Sequence, residues 1–210
     1  MSKSLIETIR DRRSIRKYQS DPVAEKDLDQ IIEAARLAPS GTNRQPWRFV
    51  LLNSDSEKQK ISGAVVQPFV LEAPAVFVCC LDRKAYTKGM VEKRMKELVQ
   101  MDVISEEAAG YIYKRKMPDE VDDVVIPAGA YVDLGIAVEH MALAAKSLGL
   151  GSCWVRLFNT QQVHEALGLQ EQIEVVALLP VGYPAESPSP RPRLSRAEIM
   201  IKPQQKDQYI

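Results

Sequence analysis

The amino-acid sequence predicts a protein of the α/β or α+β class. Segments with the apolar spacing of a helix alternate along the chain with short apolar runs typical of strands. The composition supports a globular fold, with 45% hydrophobic and 27% charged residues. A chain of 210 residues can bury a core of useful size, and no repeat or linker divides it. We therefore expect a single domain over residues 1–210.

The first part of the chain predicts two helices. Residues 2–10 and residues 24–37 each place apolar side chains on one helical face. The apolar positions are Leu5, Ile6 and Ile9 in the first helix and Leu28, Ile31, Ile32 and Ala35 in the second. Pro39 ends the second helix, because the residue before a proline is disfavoured in the helical region. Residues 40–43 are therefore predicted to form a loop.

Two strands and one charged segment are predicted next. Residues 48–52 are predicted to form a strand, and residues 53–55 cap a helix that runs to about residue 65. Residues 74–81 are predicted to form a strand that is buried on both faces, since their apolar run does not alternate with polar residues. The segment 83–125 is charged and mixed, with helical pieces and a loop. It is interpreted as a variable lid or a dimer-wrapping insertion, or alternatively as a plain pair of surface helices.

The second half of the chain is dominated by one apolar helix over residues 128–148. Its apolar residues occupy more than one face, so it lies either in the domain centre or against another subunit. The remaining elements are a strand at 152–155, a helix at 160–167 and a strand at 173–181. The proline-punctuated tail at 185–193 must lie extended over the protein, and residues 194–210 form a C-terminal extension with a short apolar run that is expected to reach the partner subunit.

Charge and residue content exclude several classes of function. The 28 basic and 28 acidic residues cancel, so no general attraction to nucleic acid or anionic membrane is expected. Charged residues within 126–150 argue against a membrane span, and the charged N-terminus argues against a signal peptide, so a cytoplasmic protein is expected. Cys79, Cys80 and Cys153 form no CxxC pair, and His140 and His164 form no metal-spaced cluster. We interpret the cysteines as reduced packing residues and expect no metal site.

Two short motifs carry the chemistry. Residues 12–18 read RRSIRKY, and residues 39–47 read PSGTNRQPW. Arginine's planar, permanently charged fork suits a phosphate, and a nearby hydroxyl can donate to a remaining oxygen. The amide-rich turn can recognise the edge of a planar heterocycle. An anion at one end and a flat polar ring at the other describe a site for flavin mononucleotide (FMN), although residues 12–18 alone could be a solvated basic turn.

These motifs resemble the nitroreductase superfamily, whose members carry R-R-S-x-R-x-[FY] followed by P-S-x-x-N-x-Q-P-W. The resemblance covers residues from about 6 to 193 and is weakest across the charged segment. It implies an α+β fold with a mostly antiparallel central sheet flanked by helices. It also implies a homodimer in which the long helix lies at the interface and two flavin sites are shared between the subunits.

The resemblance also assigns the phosphate end of the site. Arg12 and Ser14 would bind the FMN phosphate, with Arg13 beside them. Arg191 and Arg193 match a basic pair that approaches the phosphate from the C-terminal side. The alternative for this pair is two solvated arginines in an exposed tail.

The flavin ring is assigned in the same way. Arg16 would lie near the pyrimidine edge, where a cation favours the reduced flavin. Further ring contacts are expected from Pro39, Ser40 and Asn43 of the other chain, and a backbone N–H of the loop formed by Cys153, Trp154, Val155 and Arg156 is expected to approach flavin N5.

The activity that the resemblance implies is an NAD(P)H-dependent FMN oxidoreductase with ping-pong kinetics. NADH or NADPH would reduce FMN at N5, and a small nitroaromatic, quinone or enone-like acceptor would then be reduced, without a catalytic side chain. One alternative is a reductive dehalogenase of halotyrosine type or a flavin-degrading relative, in which Tyr86, Glu92, Tyr113 and Lys114 could hold a zwitterion. Another is a non-catalytic FMN-binding regulator. The sequence does not select the acceptor, the reductant or the pathway.

Overall fold

A four-stranded antiparallel sheet lies at the centre of the protein, which a computed structural model describes for residues 4–201. Its strands are β1 (Trp47–Leu52), β2 (Ala75–Asp82), β3 (Gly151–Ser152) and β4 (Ile173–Gly182), in the order β1-β2-β4-β3. The helices are α1 (Leu5–Asp11), α2 (Glu25–Arg36), α3 (Asp55–Lys60), α4 (Phe69–Glu72), α5 (Lys88–Gln100), α6 (Glu106–Tyr113), α7 (Ala128–Ser147), α8 (Thr160–Ala166) and α9 (Arg196–Ile199). The α+β class and the antiparallel sheet are confirmed.

Strand β2 is the centre of the core, as its uninterrupted apolar sequence predicts. All eight of its residues are buried, and it pairs with β1 on one side and β4 on the other. Cys79 packs in the cluster under α2 and α7, whereas Cys80 packs in the cluster on the opposite face of the sheet. Burial raises the pKa of both thiols and of Cys153, and all three cysteines are free. Their burial agrees with the predicted packing role.

Helix α7 crosses the sheet and packs against α2. Seven of its residues are buried, but Tyr131 is 42% exposed and Val132 is 62% exposed. The apolar face predicted for the first helix is also exposed, at Leu5, Ile6 and Ile9. The chain alone therefore buries α7 on one side only, and its place at a dimer interface stays a prediction. Within residues 4–201, no helix combines the length and apolar character that a bilayer crossing needs.

The arginine segment is fixed to the end of the sheet by main-chain hydrogen bonds. The N–H of Ile15 donates to the carbonyl of Ser152 at 3.0 Å, and the N–H of Gln19 donates to the carbonyl of Tyr183 at 2.9 Å. The N–H of Ala185 donates to the carbonyl of Lys17 at 2.9 Å. The proline-rich tail therefore lies, as predicted, over another part of the protein, and that part is the N-terminal motif.

Several element boundaries differ from those predicted. The helix predicted to end near residue 65 stops at Lys60 and continues as a 3₁₀ turn at Ser62–Ala64, and α4 was not predicted. The strand predicted at 152–155 contains only Gly151–Ser152, because Val155 leaves the strand and forms an isolated bridge with Leu178. The segment 83–125 forms a 3₁₀ turn, α5 and α6, and its role as a lid stays a prediction. Of the C-terminal extension, residues 202–210 lie outside the described part.

Gly151 lies where β3 meets the arginine segment, and the space there admits no side chain. A Cβ at this position would meet Cγ1 of Ile15 at 2.6 Å and its Cβ at 2.8 Å. We expect Gly151→Ala to lower the free energy of unfolding by about 1–3 kcal/mol, because either backbone must move. Urea denaturation measures this value. Gly63→Ala is the control, since its Cβ would have no atom within 4 Å; an equal loss in both variants would contradict the close contact.

Candidate functional site

A small cleft brings together arginines from both ends of the chain. We call it the arginine cleft; its volume is about 60 Å³, and it is lined by Arg12, Arg13, Ser14, Arg16, Pro188, Ser189, Arg191 and Arg193. Five guanidinium groups and two hydroxyl-bearing residues thus face one space. Like charges at such short range repel one another, so the arrangement favours a bound anion. The structure places every residue of the predicted phosphate site at this cleft.

Arg13 supplies the buried donor of the arginine cleft. Its terminal nitrogen donates to the carbonyl oxygens of Arg10 at 2.6 Å and of Arg12 at 2.8 Å, which fixes the turn after α1. Its Nε–H is buried and has no hydrogen-bond partner in the described part of the chain. A buried donor without an acceptor destabilises a protein by roughly 1–3 kcal/mol. An anionic oxygen in the cleft would satisfy it.

Arg12 belongs to a network that the sequence did not predict. Its Nε lies 3.1 Å from Oε1 of Glu139 on α7, and the indole N–H of Trp154 donates to Oε2 of the same carboxylate at 3.1 Å. Glu139 therefore joins the arginine segment to the 153–156 loop. The sequence signal for it was a charged residue within a largely apolar helix, a signal that Asp133 and Lys146 share.

Arg16 lines the arginine cleft together with the predicted phosphate ligands, although it was expected near the flavin ring. Its backbone N–H donates to Oε1 of Glu186 at 2.5 Å, and the N–H of Lys17 donates to the same oxygen at 3.2 Å. Its exposed guanidinium lies 5.9 Å from the ring centre of Phe69. The predicted role of Arg16 at the pyrimidine edge stays a prediction.

The 153–156 loop has two backbone donors that the sheet leaves free. The N–H of Cys153 donates to the carbonyl of Pro180 at 3.3 Å, and the N–H of Val155 donates to the carbonyl of Leu178 at 2.9 Å. Consecutive amides of an extended chain point in opposite directions. The N–H groups of Trp154 and Arg156 accordingly have no hydrogen-bond partner within residues 4–201. These two amides are the candidates for a contact with a flavin nitrogen.

The loop that carries Pro39, Ser40 and Asn43 does not line the arginine cleft within one chain. The N–H of Gly41 donates to Oδ1 of Asp133 on α7 at 3.0 Å, and Ser40 Oγ accepts from the N–H of Gln45 at 3.0 Å. Three residues without glycine's freedom adopt the left-handed conformation, with φ values of 52° at Thr42, 53° at Asn43 and 49° at Gln45. Their predicted contribution to the partner's flavin stays a prediction.

Comparison with known proteins identifies the family. Residues 9–183 match the family model described as Nitroreductase family, which covers most of the chain. The chain belongs to the nitroreductase family. Membership agrees with the antiparallel sheet and with the convergence of the two ends of the chain, which both follow from the structure alone.

Among curated members of the nitroreductase family, two relatives match nearly the whole chain. The FMN reductase [NAD(P)H] of Bacillus subtilis is 31% identical over 198 residues, covering 93% of this chain and 72% of the relative. The NADH dehydrogenase of Thermus thermophilus is 33% identical over 196 residues, covering 90% and 91% of the two chains. A crystal structure of a nitroreductase of Exiguobacterium sibiricum in complex with FMN superposes with a TM-score of 0.79 at 24% identity, covering 97% of this chain and 99% of that one.

The network around Glu139 can be tested by removing the carboxylate. We expect Glu139→Ala to lower the free energy of unfolding by about 1 kcal/mol or more, because Trp154 loses its acceptor and Arg12 loses its counter-charge. Guanidinium denaturation followed by tryptophan fluorescence measures the change. Glu33→Ala removes an exposed pair with Arg36 and should leave the unfolding energy almost unchanged. An equal change in the free energy of unfolding in the two variants would show that the hydrogen bonds and the ion pair of Glu139 do not form in solution.

Proposed function

We propose that this protein is an NAD(P)H-dependent FMN oxidoreductase that reduces small nitroaromatic, quinone or enone-like acceptors. The observation that carries the proposal is the convergence of five arginines from both ends of the chain on one cleft. The buried, unpartnered Nε–H of Arg13 supports an anionic occupant. The names of two relatives, FMN reductase [NAD(P)H] and NADH dehydrogenase, support both the cofactor and the reductant.

The residues of the chain fit FMN in both charge and hydrogen bonding. Arg12, Arg13, Ser14, Arg191 and Arg193 would hold the phosphate, through charge-assisted hydrogen bonds from guanidinium groups and a hydroxyl. When bound, FMN would supply the hydride transfer between NAD(P)H and the acceptor. The side chains would then position the flavin and stabilise its charge.

Ring recognition would come from the 153–156 loop and from Arg16. The amides of Trp154 and Arg156 are free to donate, and a backbone donor leaves the reacting face of a planar ring open. Glu139 would position this loop, since it accepts from the indole of Trp154 and pairs with Arg12. Phosphate binding at Arg12 and the orientation of the ring loop would thus be coupled through one carboxylate.

A homodimer with shared flavin sites is part of the proposal. Exposed apolar side chains on three helices support it: Leu5, Ile6 and Ile9 on α1, Ile32 on α2, and Tyr131 and Val132 on α7. Apolar surface of this kind is stabilised by burial against a second subunit. The second chain would supply Pro39, Ser40 and Asn43, which no contact within one chain brings to the arginine cleft.

An absorption spectrum tests the proposed function directly. The purified protein should carry a flavin band, and adding NADH or NADPH under argon should bleach it. A flavin band that neither reductant bleaches would favour the non-catalytic regulator. Faster turnover of a halotyrosine than of a nitroarene would favour the dehalogenase. A protein that neither carries nor binds FMN would contradict the proposal.

The phosphate assignment predicts a loss of cofactor affinity in Arg193→Ala. Removing one charge-assisted contact should weaken FMN binding about tenfold or more. Titration of the apoprotein with FMN, followed by the quenching of flavin fluorescence, measures the dissociation constant. Arg196→Ala is the matched control, because Arg196 is an exposed arginine three residues further along and does not line the cleft. Equal affinity in both variants would contradict the assignment.

Arg16 is expected to act on the potential of the flavin rather than on its retention. A fixed cation near the pyrimidine edge stabilises the negative charge of the reduced ring, so Arg16→Ala should lower the midpoint potential. Anaerobic titration against a reference dye measures this value. Arg16→Lys should recover part of the potential. A variant that loses FMN at unchanged potential would instead place Arg16 among the phosphate ligands.

A further inference from the structure

A second cavity lies between the loop after α2 and the charged segment at 83–125. We call it the lid cavity; its volume is about 400 Å³, and it is lined by charged residues on one side and apolar residues on the other. A smaller neighbouring cavity of about 200 Å³ shares Arg44, Tyr86, Arg115 and Pro127 with it. None of these residues lines the arginine cleft. The lid cavity is therefore a separate place for a ligand group.

The buried hydroxyl of Tyr86 indicates that this cavity binds a ligand. Tyr86 is only 7% exposed, and its hydroxyl oxygen is buried without a hydrogen-bond partner in the described residues. Burial, assisted by the charge of Asp133 and opposed by Arg44, raises the pKa of Tyr86 to about 12. The hydroxyl is therefore a proton donor throughout the neutral range. A buried donor that finds no acceptor in its own chain is destabilising unless a ligand satisfies it.

Positive charge surrounds the same hydroxyl. Arg44, Arg115 and Lys116 line the lid cavity, with Asp123 as the one carboxylate beside them. None of the three cations forms an ion pair within residues 4–201. The guanidinium of Arg44 lies 5.0 Å from the ring centre of Tyr86. The pKa of Arg44 is lowered, first by burial and also by the charge of Arg115, while Tyr86 and the carboxylate of Asp133 act in the opposite direction.

The opposite wall of the lid cavity is apolar. Met117, Val124 and Val125 line it, so a ligand there would combine an apolar body with an anionic group. The lid cavity is next to a residue of the proposed flavin site, because Arg44 directly follows Asn43, which is expected to contact the flavin ring held by the partner subunit. An acceptor held in the lid cavity of one chain would thus lie beside the flavin bound by the other chain of the proposed dimer.

We propose that the lid cavity binds the anionic group of a substrate, and that the preferred acceptors are aromatic compounds carrying a carboxylate. Tyr86, Arg44 and Arg115 would hold the anionic group, and the apolar wall would hold the aromatic body. A phosphate of the reductant NADPH is the other source of the same chemistry. The proposal rests on the proposed oxidoreductase function and names the substrate class of that site.

A pair of acceptors that differ only in charge tests the proposal. With 4-nitrobenzoate, Arg115→Ala should raise KM about tenfold or more, because a charge-assisted contact is lost. With methyl 4-nitrobenzoate, which has no charge, KM should change by less than roughly twofold. Tyr86→Phe should raise KM for the charged acceptor alone. Lys96→Ala is the control, since Lys96 is an exposed cation of the same segment outside the lid cavity.

The kinetic measurements distinguish an anionic group on the acceptor from the phosphate of NADPH. A rise in KM for NADPH but not for NADH in Arg115→Ala would assign the cavity to the phosphate of the reductant. Equal changes for the charged and the uncharged acceptor would overturn the proposal.

Calorimetric binding of 4-nitrobenzoate to the purified protein separates this test from that of the oxidoreductase function. If the protein proves to have no flavin activity, binding that is lost in Arg115→Ala would still support the anion subsite. Binding that is unchanged in the variant would refute it.

Discussion

The site depends on a main-chain interaction that links the two ends of the chain. Residues 14–19 run along β3 and the end of β4, and Glu186 accepts from two consecutive backbone amides of this segment. These bonds hold the segment of Arg12, Arg13 and Arg16 against the start of the tail that leads to Arg191 and Arg193. The cationic side chains repel one another, and the hydrogen bonds of the backbone and of the Glu186 carboxylate oppose their separation. The arginine cleft therefore depends on sheet geometry more than on arginine content.

Helix α7 holds two segments of one chain that are predicted to bind ligand, each in a different site of the proposed dimer. Asp133 holds the loop at Gly41, and Glu139 holds Arg12 and Trp154. The two carboxylates are six positions apart, which is about 9 Å along a helix at 1.5 Å per residue. The same helix presents Tyr131 and Val132 to solvent. Anchors for both predicted ligand-binding segments and an exposed apolar face thus share one helix, so a subunit that docked on α7 would affect the positions of both segments.

Local patterns predicted the elements well but not the contacts between them. The apolar run of β2 predicted burial on both faces, because that pattern depends only on strand geometry. The family resemblance assigned Arg12, Arg13, Arg191 and Arg193 to one end of the site, and all four line one cleft; Arg16, which was expected at the ring, lines it as well. The partners of those arginines, Glu139 and Glu186, were missed, since a carboxylate more than a hundred residues away leaves no trace in local periodicity. The early end of the strand at Ser152 was missed for the same reason, as it depends on where Val155 meets β4.

The loop at Thr42, Asn43 and Gln45 has a consequence for protein engineering. Left-handed backbone at non-glycine residues costs about 1–2 kcal/mol per position, and three such positions lie within four residues. Glycine would relax each of them but would remove the side-chain amides and hydroxyl that the loop presents. The native residues therefore keep these polar groups at a cost in stability. If the loop contacts the flavin as proposed, glycine in the loop would raise heat resistance at the expense of ligand recognition.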